Sequence, residues 1–301
     1  MPYRSRFASA HRLRLPLFWL AAATLVLVLP AGAVEAAPPQ LPGMELIEAW
    51  PDVEFKEPIH VTHGGDGSDY LYVCEQPGIV KRIKKYRGVG AVPQPSVFLD
   101  IRSKVYARSQ GGLLSMACHP QFKSNRLFYV CYLATNPTPG PDARKFKVVI
   151  AEFRSNGAKA DPASFRTVIE IPTKTAQHQA GGMAFGPDGM LYLGIGDGNE
   201  SKNDAQKLAQ NARRLLGKII RIDPTGRQGG KGYAIPKGNP WPNSANVRPE
   251  IWGFGFRNPW RFCWDGAGRM WVTEPGSSGP ASREWVTQVI YGRNHGWPYY
   301  E

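Results

Sequence analysis

The chain repeats one pattern four times: a strand, a tight turn, and a second strand that opens with an apolar residue followed by an aromatic one. Short strands alternating with turns, in a chain with 33 Gly, 27 Pro and no long amphipathic helical window, indicate an all-β fold. A third strand follows each pair, and a fourth follows in three of the repeats. The second strands begin 56, 64 and 79 residues apart, at Leu71, Leu127, Leu191 and Met270.

Four-stranded units in series at this spacing are typical of a β-propeller, because stacked blades bury faces that no single blade can bury. A β-sandwich would have short strands without this regular repetition. The fourth unit stops after its third strand, so we expect an incomplete β-propeller of which about four blades are present. A closed four-bladed ring and assembly with another chain are the alternatives. The predicted third strands are 78–85, 146–153, 217–222 and 284–290, and the fourth strands are 96–101, 165–171 and 249–254.

The first 36 residues are arranged like a secretory signal peptide, with four Arg, an apolar run over 17–29, and small residues before a predicted cleavage near Ala33 or Ala36. The apolar run is too short to span a bilayer as a stable helix, which favours a cleaved signal over a retained membrane anchor. We therefore predict a signal peptide over 1–36 and a partial β-propeller over 37–301. The mature protein is expected to be periplasmic or secreted, with no membrane span.

The chain is basic, with 37 Lys and Arg against 24 Asp and Glu. Its densest basic run, 81–87, is interpreted as a solvated edge strand rather than a binding site. We expect no nucleic-acid partner, because no such motif accompanies the run and export argues against one. The four Cys have no metal-binding spacing. Cys118 and Cys131 fall on strands predicted to be neighbours, and the sequence leaves open whether they form a disulfide or remain buried thiols.

His178 and Asp197 lie at the two ends of one predicted hairpin, whose turn is Gly186-Pro-Asp-Gly189. The ends of such a hairpin lie side by side. A histidine whose second ring nitrogen is held by a carboxylate has a fixed tautomer, which suits proton abstraction from a hydroxyl. The alternative is that both are ordinary loop residues at strand ends.

Five motifs, taken together and in order, resemble those of the PQQ-dependent glucose/sorbosone dehydrogenase (aldose sugar dehydrogenase) family. Members of this family are six-bladed propellers that use pyrroloquinoline quinone (PQQ) and calcium. The resemblance begins near Leu46 and runs to the end of the chain. Any one motif alone would be weak evidence for the family. The motifs are 110–122, 178–197, 216–223, 255–260 and 292–298.

The resemblance implies roles for individual residues. His178 corresponds to the general base, Asp197 to the carboxylate that orients it, and Arg257 to a cation that stabilises charge developing on a quinone oxygen. Arg257 and its neighbour could instead form only a strand-entry turn. The implied cofactor-binding residues are Gln110, Arg257 and Asn258.

The resemblance also implies two calcium sites. At the cofactor, the ligands would be the backbone carbonyls of Gly276 and Ser277. A second, structural calcium would take Glu284 and the carbonyl of His295. Glu284 could equally be an ordinary surface carboxylate. Ser277 stands where some relatives have Pro, a change that a backbone-carbonyl role tolerates.

The function implied is an exported aldose dehydrogenase that oxidises the anomeric carbon of an aldose to a lactone, with hydride transfer to PQQ. A cytochrome or another electron acceptor would be its partner. The family supplies further cofactor-binding cations from two later blades, so we expect these four blades alone to bind quinone poorly. The alternative is a non-catalytic extracellular propeller that binds a protein or a glycan. The sequence does not disclose the sugar.

Overall fold

The structure, a computed structural model, describes Gly43 and residues 45–138, 144–199, 207–277 and 282–300. Residues Glu48–Glu301 form one compact unit. The predicted signal peptide lies outside the described residues. Within the ranges described, no helix is both long enough and apolar enough to cross a membrane.

Four antiparallel sheets make up the fold, and in each sheet consecutive strands of the chain are paired. Three sheets have four strands and the last described has three. The first sheet has β1 (Pro58–His63), β2 (Tyr70–Glu75), β3 (Ile79–Lys84) and β4 (Ser96–Asp100); the second has β5 (Leu113–Cys118), β6 (Leu127–Thr135), β7 (Phe146–Ser155) and β8 (Ala160–Thr173); the third has β9 (Ala180–Phe185), β10 (Leu191–Ile195), β11 (Lys218–Ile222) and β12 (Ile251–Phe254); the fourth has β13 (Arg261–Trp264), β14 (Met270–Glu274) and β15 (Trp285–Gln288). A 3-10 turn at Arg102–Lys104 and a one-turn helix, α1 (Phe122–Asn125), lie in connections.

The predicted all-β propeller arrangement is confirmed, with each sheet forming one blade. The hydrophobic core lies between the blades. One cluster joins the first and second blades through rings such as Phe98 and Phe128. A second cluster joins the second and third blades, and a third, which includes Tyr192 and Val272, joins the third and fourth. Each blade thus buries its apolar faces against its neighbours.

The first strands of successive blades contact one another, β1 with β5, β5 with β9 and β9 with β13. Between β9 and β13 the approach depends on glycine. A Cβ atom at Gly181 would lie 2.1 Å from the carbonyl oxygen of Trp260, and one at Gly182 would lie 2.8 Å from the Phe262 ring. Side chains at these positions would push the third and fourth blades apart.

Two details of the sequence interpretation are settled by the strand pairing. The basic strand β3 is not an edge strand, because it pairs with β2 on one side and with β4 on the other. Cys118 pairs with Phe128 and Cys131 with Ser115, so the two cysteines do not face each other across their strands. All four cysteines are free thiols. The edge-strand interpretation and the disulfide alternative are therefore wrong.

Gly181→Ala should lower the free energy of unfolding by about 2 kcal/mol, since the added methyl group overpacks the junction between the third and fourth blades. The matched control is Gly266→Ala in an exposed turn, where an added Cβ meets nothing within 4 Å. Urea unfolding of both variants measures the difference. Equal stability of the two variants would contradict the close-packing argument.

His60 makes folding sensitive to acid. Its Nε2 atom contacts the carbonyl oxygen of Met116 at 3.1 Å, and burial, aided by the nearby Arg261 charge, lowers the pKa of His60 from 6.5 to about 4. The unfolded chain therefore takes up a proton in a pH range where the folded chain does not, and stability falls as the pH drops from about 6.5 towards 4.

His60→Gln should reduce the fall in the free energy of unfolding at acidic pH by at most about 1.4 kcal/mol per pH unit. Urea unfolding between pH 4 and pH 7 measures it, with His63→Gln at an exposed position as the control. A wild-type slope in the His60 variant would show that this ring does not contribute.

Candidate active site

Strand ends from three blades gather at one end of the propeller. Gln110 comes just before β5, His178 just before β9, and Arg257 before β13, while Asp197 follows β10 directly after the hairpin. Two hydrogen bonds join these ends. Gln110 Oε1 accepts the backbone N–H of His178 at 2.8 Å, and the carbonyl oxygen of Arg257 accepts the backbone N–H of Asp197 at 2.8 Å.

His178 and Asp197 meet as the hairpin predicts. Nδ1 of His178 lies 2.7 Å from Oδ1 of Asp197, and the two residues are 7% and 1% exposed. Asp197 Oδ1 also accepts the backbone N–H of Asn199 at 2.7 Å, and Oδ2 accepts the indole N–H of Trp297 at 2.8 Å. The buried carboxylate thus accepts three hydrogen bonds and both of its oxygens have a partner, as a buried charge requires.

This arrangement fixes which nitrogen of His178 is available. Because an ionised carboxylate only accepts hydrogen bonds, Nδ1 carries the proton and Nε2 has a free lone pair in the neutral ring. Nε2 has no hydrogen-bond partner among the described residues. The ring is therefore arranged as a base oriented by a carboxylate.

The backbone of His178 is held in an unusual conformation. Its φ of 48° lies in the left-handed region, which costs energy for a residue with a side chain. The peptide is held on both sides, since its N–H bonds to Gln110 and its carbonyl oxygen accepts the N–H of Gly198 at 3.1 Å. A Cβ atom on Gly196 would lie 2.2 Å from that carbonyl oxygen, so only glycine fits there.

The Arg257-Asn258 turn is held by Glu274 at the end of β14. Oε1 of Glu274 accepts the backbone N–H groups of both Arg257 and Asn258, the second at 3.2 Å. Burial raises the pKa of the Glu274 carboxyl to about 7, and the nearby Asp197 charge adds to the effect. The Asn258 side chain leaves its buried Oδ1 atom without a partner among the described residues.

Sequence reasoning missed the roles of Trp297 and Glu274, although Trp297 stands in a motif that it singled out. Besides its bond to Asp197, the Trp297 ring lies under the guanidinium of Arg257, with Cζ 5.5 Å from the ring centroid. An aromatic face at this distance attracts a cation. Trp297 is 100 residues from Asp197 in sequence, so no local pattern could indicate this contact.

A third residue that was missed, Lys218, is fully buried at the start of β11. Its Nζ atom donates to the carbonyl oxygens of Leu208, Ala209 and Leu216 at 2.7 to 2.9 Å. Burial lowers the pKa of Lys218, whereas the charge of Asp197 raises it. The ammonium group thereby fixes the loop that leads into β11.

Two cavities lie beside these residues. The first, of about 260 Å³, is lined by Arg257, Glu274, Gly276 and His295 and walled by the aromatic rings Trp285, Trp297 and Tyr300. The second, of about 490 Å³, is lined by residues including Gln110, Asn258 and Glu284. Both are bordered by Glu274, Pro275 and Trp285. His178 is not among the residues that line either cavity.

The residues present suit an anionic, planar cofactor. Arg257 supplies a cation at the first cavity and aromatic rings supply flat walls, while the orphaned Oδ1 atom of Asn258 near the second suits a ring N–H of the cofactor rather than its negative charge. PQQ, a flat ring system with three carboxylates, fits this chemistry.

The calcium ligands stay predictions. Among the described residues no group of three or more His, Cys, Asp and Glu side chains could hold a metal ion. A site built from backbone carbonyls such as those of Gly276 and Ser277 would need further oxygens, because calcium takes about six to eight. Glu284 is exposed and borders the second cavity, while the His295 ring borders the first and stacks on Phe256.

Fold and site together define a β-propeller in which a carboxylate-oriented histidine, an arginine and an aromatic-walled cavity are formed at the ends of neighbouring blades. Residues 55–301 match the glucose/sorbosone dehydrogenase family, and the chain belongs to that family.

Known members of this family and fold include both enzymes and a binding protein. Hedgehog-interacting protein of Mus musculus is 30% identical over 213 residues, covering 70% of this chain and 30% of the relative. Aldose sugar dehydrogenase YliI of Escherichia coli is 29% identical over 199 residues, covering 64% and 48%. PQQ-bound aldose sugar dehydrogenase from Streptomyces coelicolor shares the fold, with a TM-score of 0.66, 22% identity and coverage of 88% of this chain and 69% of that one. The chain thus spans less than half the length of these two curated relatives.

Glu274→Leu should lower the free energy of unfolding by about 2 kcal/mol, because two buried backbone N–H groups lose their acceptor. Glu274→Gln keeps a carbonyl oxygen in place and should stay close to wild type. Urea unfolding of the two variants measures this. If Gln destabilises as much as Leu, the carboxylate charge rather than its role as acceptor holds the turn.

Proposed function

We propose that this protein is an exported PQQ-dependent aldose dehydrogenase that oxidises the anomeric carbon of its sugar to a lactone. The observation that carries the proposal is the buried Asp197 carboxylate, which accepts three hydrogen bonds and presents Nε2 of His178 as a base. Membership of the glucose/sorbosone dehydrogenase family supports the same reaction class.

The residues of this chain have separate tasks in the proposed reaction. His178 Nε2 accepts the proton of the anomeric hydroxyl while the hydride on the same carbon leaves for the acceptor. Asp197 stabilises the imidazolium that forms and keeps the ring from turning. Bound quinone supplies the two-electron acceptor, a chemistry that no side chain offers. Arg257 would hold the quinone by a charge-assisted hydrogen bond, with Gln110 and Asn258 beside it.

The remaining ligands and partners belong to the same proposal. The carbonyls of Gly276 and Ser277 would hold a calcium ion that polarises the cofactor, and Glu284 with the His295 carbonyl would hold a structural one. A cytochrome or another acceptor would reoxidise the quinone. The proposed compartment is the periplasm or the extracellular space, where the predicted signal peptide would direct the chain.

A second candidate function is that of an extracellular binding module for a protein or a glycan. It is favoured by the similarity to Hedgehog-interacting protein, which is slightly more identical to this chain than the bacterial dehydrogenase is.

His178→Ala should lower kcat for sugar-dependent dye reduction about 10²- to 10⁴-fold, the usual contribution of a general base. The assay uses the complete gene product reconstituted with PQQ and calcium and offered several aldoses. His63→Ala, at an exposed position, is the control and should retain full activity. Equal rates for wild type and His178→Ala would refute the enzymatic proposal, and an inert wild type that binds a protein or glycan would favour the second function.

A further inference from the structure

Trp297 connects the two halves of the candidate site. Its indole N–H donates to Oδ2 of Asp197 at 2.8 Å, and its ring face lies 5.5 Å from the guanidinium carbon of Arg257. The side chain is 8% exposed. Asp197 comes from the third blade, Arg257 from the start of the fourth, and Trp297 from beyond β15.

The bond to Asp197 controls the direction in which the carboxylate faces. Oδ1 is shared between His178 and the backbone N–H of Asn199, whereas Oδ2 bonds only to Trp297 among the described residues. Without the indole donor, one buried oxygen loses its partner and the carboxylate gains freedom to rotate about its last bond. Because the His178 ring is held through the same carboxylate, its orientation would become less defined.

The contact with Arg257 is equally specific. The main chain of Arg257 is fixed by the Glu274 carboxylate and by the N–H of Asp197. Its guanidinium, in contrast, forms no ion pair or hydrogen bond with any of the described residues; it lies over the Trp297 ring and interacts through space with the Glu274 carboxyl. The cation therefore keeps its N–H groups available for an anionic ligand while its position stays restricted.

The Trp297 main chain is anchored independently of both partners. Its N–H donates to the carbonyl oxygen of Gly255 at 3.0 Å, and its carbonyl oxygen accepts from Gln210 Nε2 at 2.6 Å. Gln210 exchanges two further hydrogen bonds with the side chain of Asn294. Gln210 lies within the loop that the buried Lys218 ammonium fixes through the carbonyl oxygens of Leu208, Ala209 and Leu216. The indole is thus presented by rigid surroundings, as a positioning group requires.

We propose that Trp297 is the positioning residue of this site, using its N–H to orient the His178–Asp197 pair and its ring face to place the Arg257 guanidinium. The inference rests on the proposed dehydrogenase function for its catalytic consequence, but the two contacts can be tested without cofactor or sugar.

The decisive variant is Trp297→Phe, which keeps an aromatic ring and removes the N–H. Trp297→Leu removes both. The chain also offers a closely matched control in Trp271, whose indole N–H donates to Asp265 Oδ2 at 2.9 Å and whose ring lies 5.8 Å from the Arg269 guanidinium carbon. Trp271→Phe deletes the same kind of bond on the same fold, away from the candidate site.

Two proton NMR signals report the contacts directly. The Nδ1–H proton of His178, assigned by its loss in His178→Gln, should be protected in wild type and in Trp271→Phe and should exchange at least tenfold faster in Trp297→Phe. The Nε–H proton of Arg257, assigned with Arg257→Lys, should be shifted by the indole ring. The shift should shrink in Trp297→Phe, because a phenyl ring has a smaller ring current, and vanish in Trp297→Leu. The Phe variant decides both points even if the Leu variant does not fold.

In the reconstituted enzyme, Trp297→Phe should lower kcat about tenfold with the sugar KM within twofold of wild type, while Trp271→Phe leaves both unchanged. A wild-type Nδ1–H signal and a wild-type kcat in Trp297→Phe would overturn the inference and leave the proposed function intact. If the NMR signals respond as stated and wild type still reduces no dye, the positioning geometry stands and the dehydrogenase proposal fails.

Discussion

No blade of this fold can bury both of its apolar faces alone, and this constraint determines where everything else lies. The three hydrophobic clusters each join two successive blades, and glycines at the start of β9 let the fourth blade approach closely. Stacking blades in this way brings their first strands side by side. The residues that precede those strands, Gln110, His178 and Arg257, therefore gather at one end.

How far the site could be predicted depended on the distance in sequence between the partners. The His178–Asp197 pair was accessible because a hairpin with a recognisable turn returns the chain to its starting point. Arg257 and Asn258 were accessible through resemblance alone. Trp297 was not, since its partner Asp197 lies 100 residues away and only the stacking of blades brings them together. The wrong edge assignment of β3 has a different cause, because the sequence also predicts a fourth strand over 96–101: a run of basic side chains indicates solvent exposure but does not show whether the strand has a neighbour on each side.

The choice between an enzyme and a binding module depends on what a buried polar network costs. A carboxylate that is 1% exposed loses most of its hydration, and the cost is offset only when both of its oxygens are hydrogen-bonded, as those of Asp197 are. A binding module gains no stability from a buried carboxylate at this place, and apolar residues would fill the space more favourably. The strained His178 backbone adds a further cost. A buried carboxylate and a strained backbone at the same place are more readily explained by a catalytic role than by a purely structural one.

The distribution of charge supports the same view. Among the described residues, two cations of the site form no direct ion pair with Asp197: Lys218 donates its three N–H groups to carbonyl oxygens, and the Arg257 guanidinium lies over the Trp297 ring. A direct ion pair with Asp197 would compete with His178 for the carboxylate and occupy the guanidinium. Because the indole contacts Asp197 through its N–H and Arg257 through its ring face, the carboxylate remains available to the base and the guanidinium to a ligand. The Asp197 carboxylate and the Arg257 guanidinium thereby both stay available for their proposed roles within one cluster.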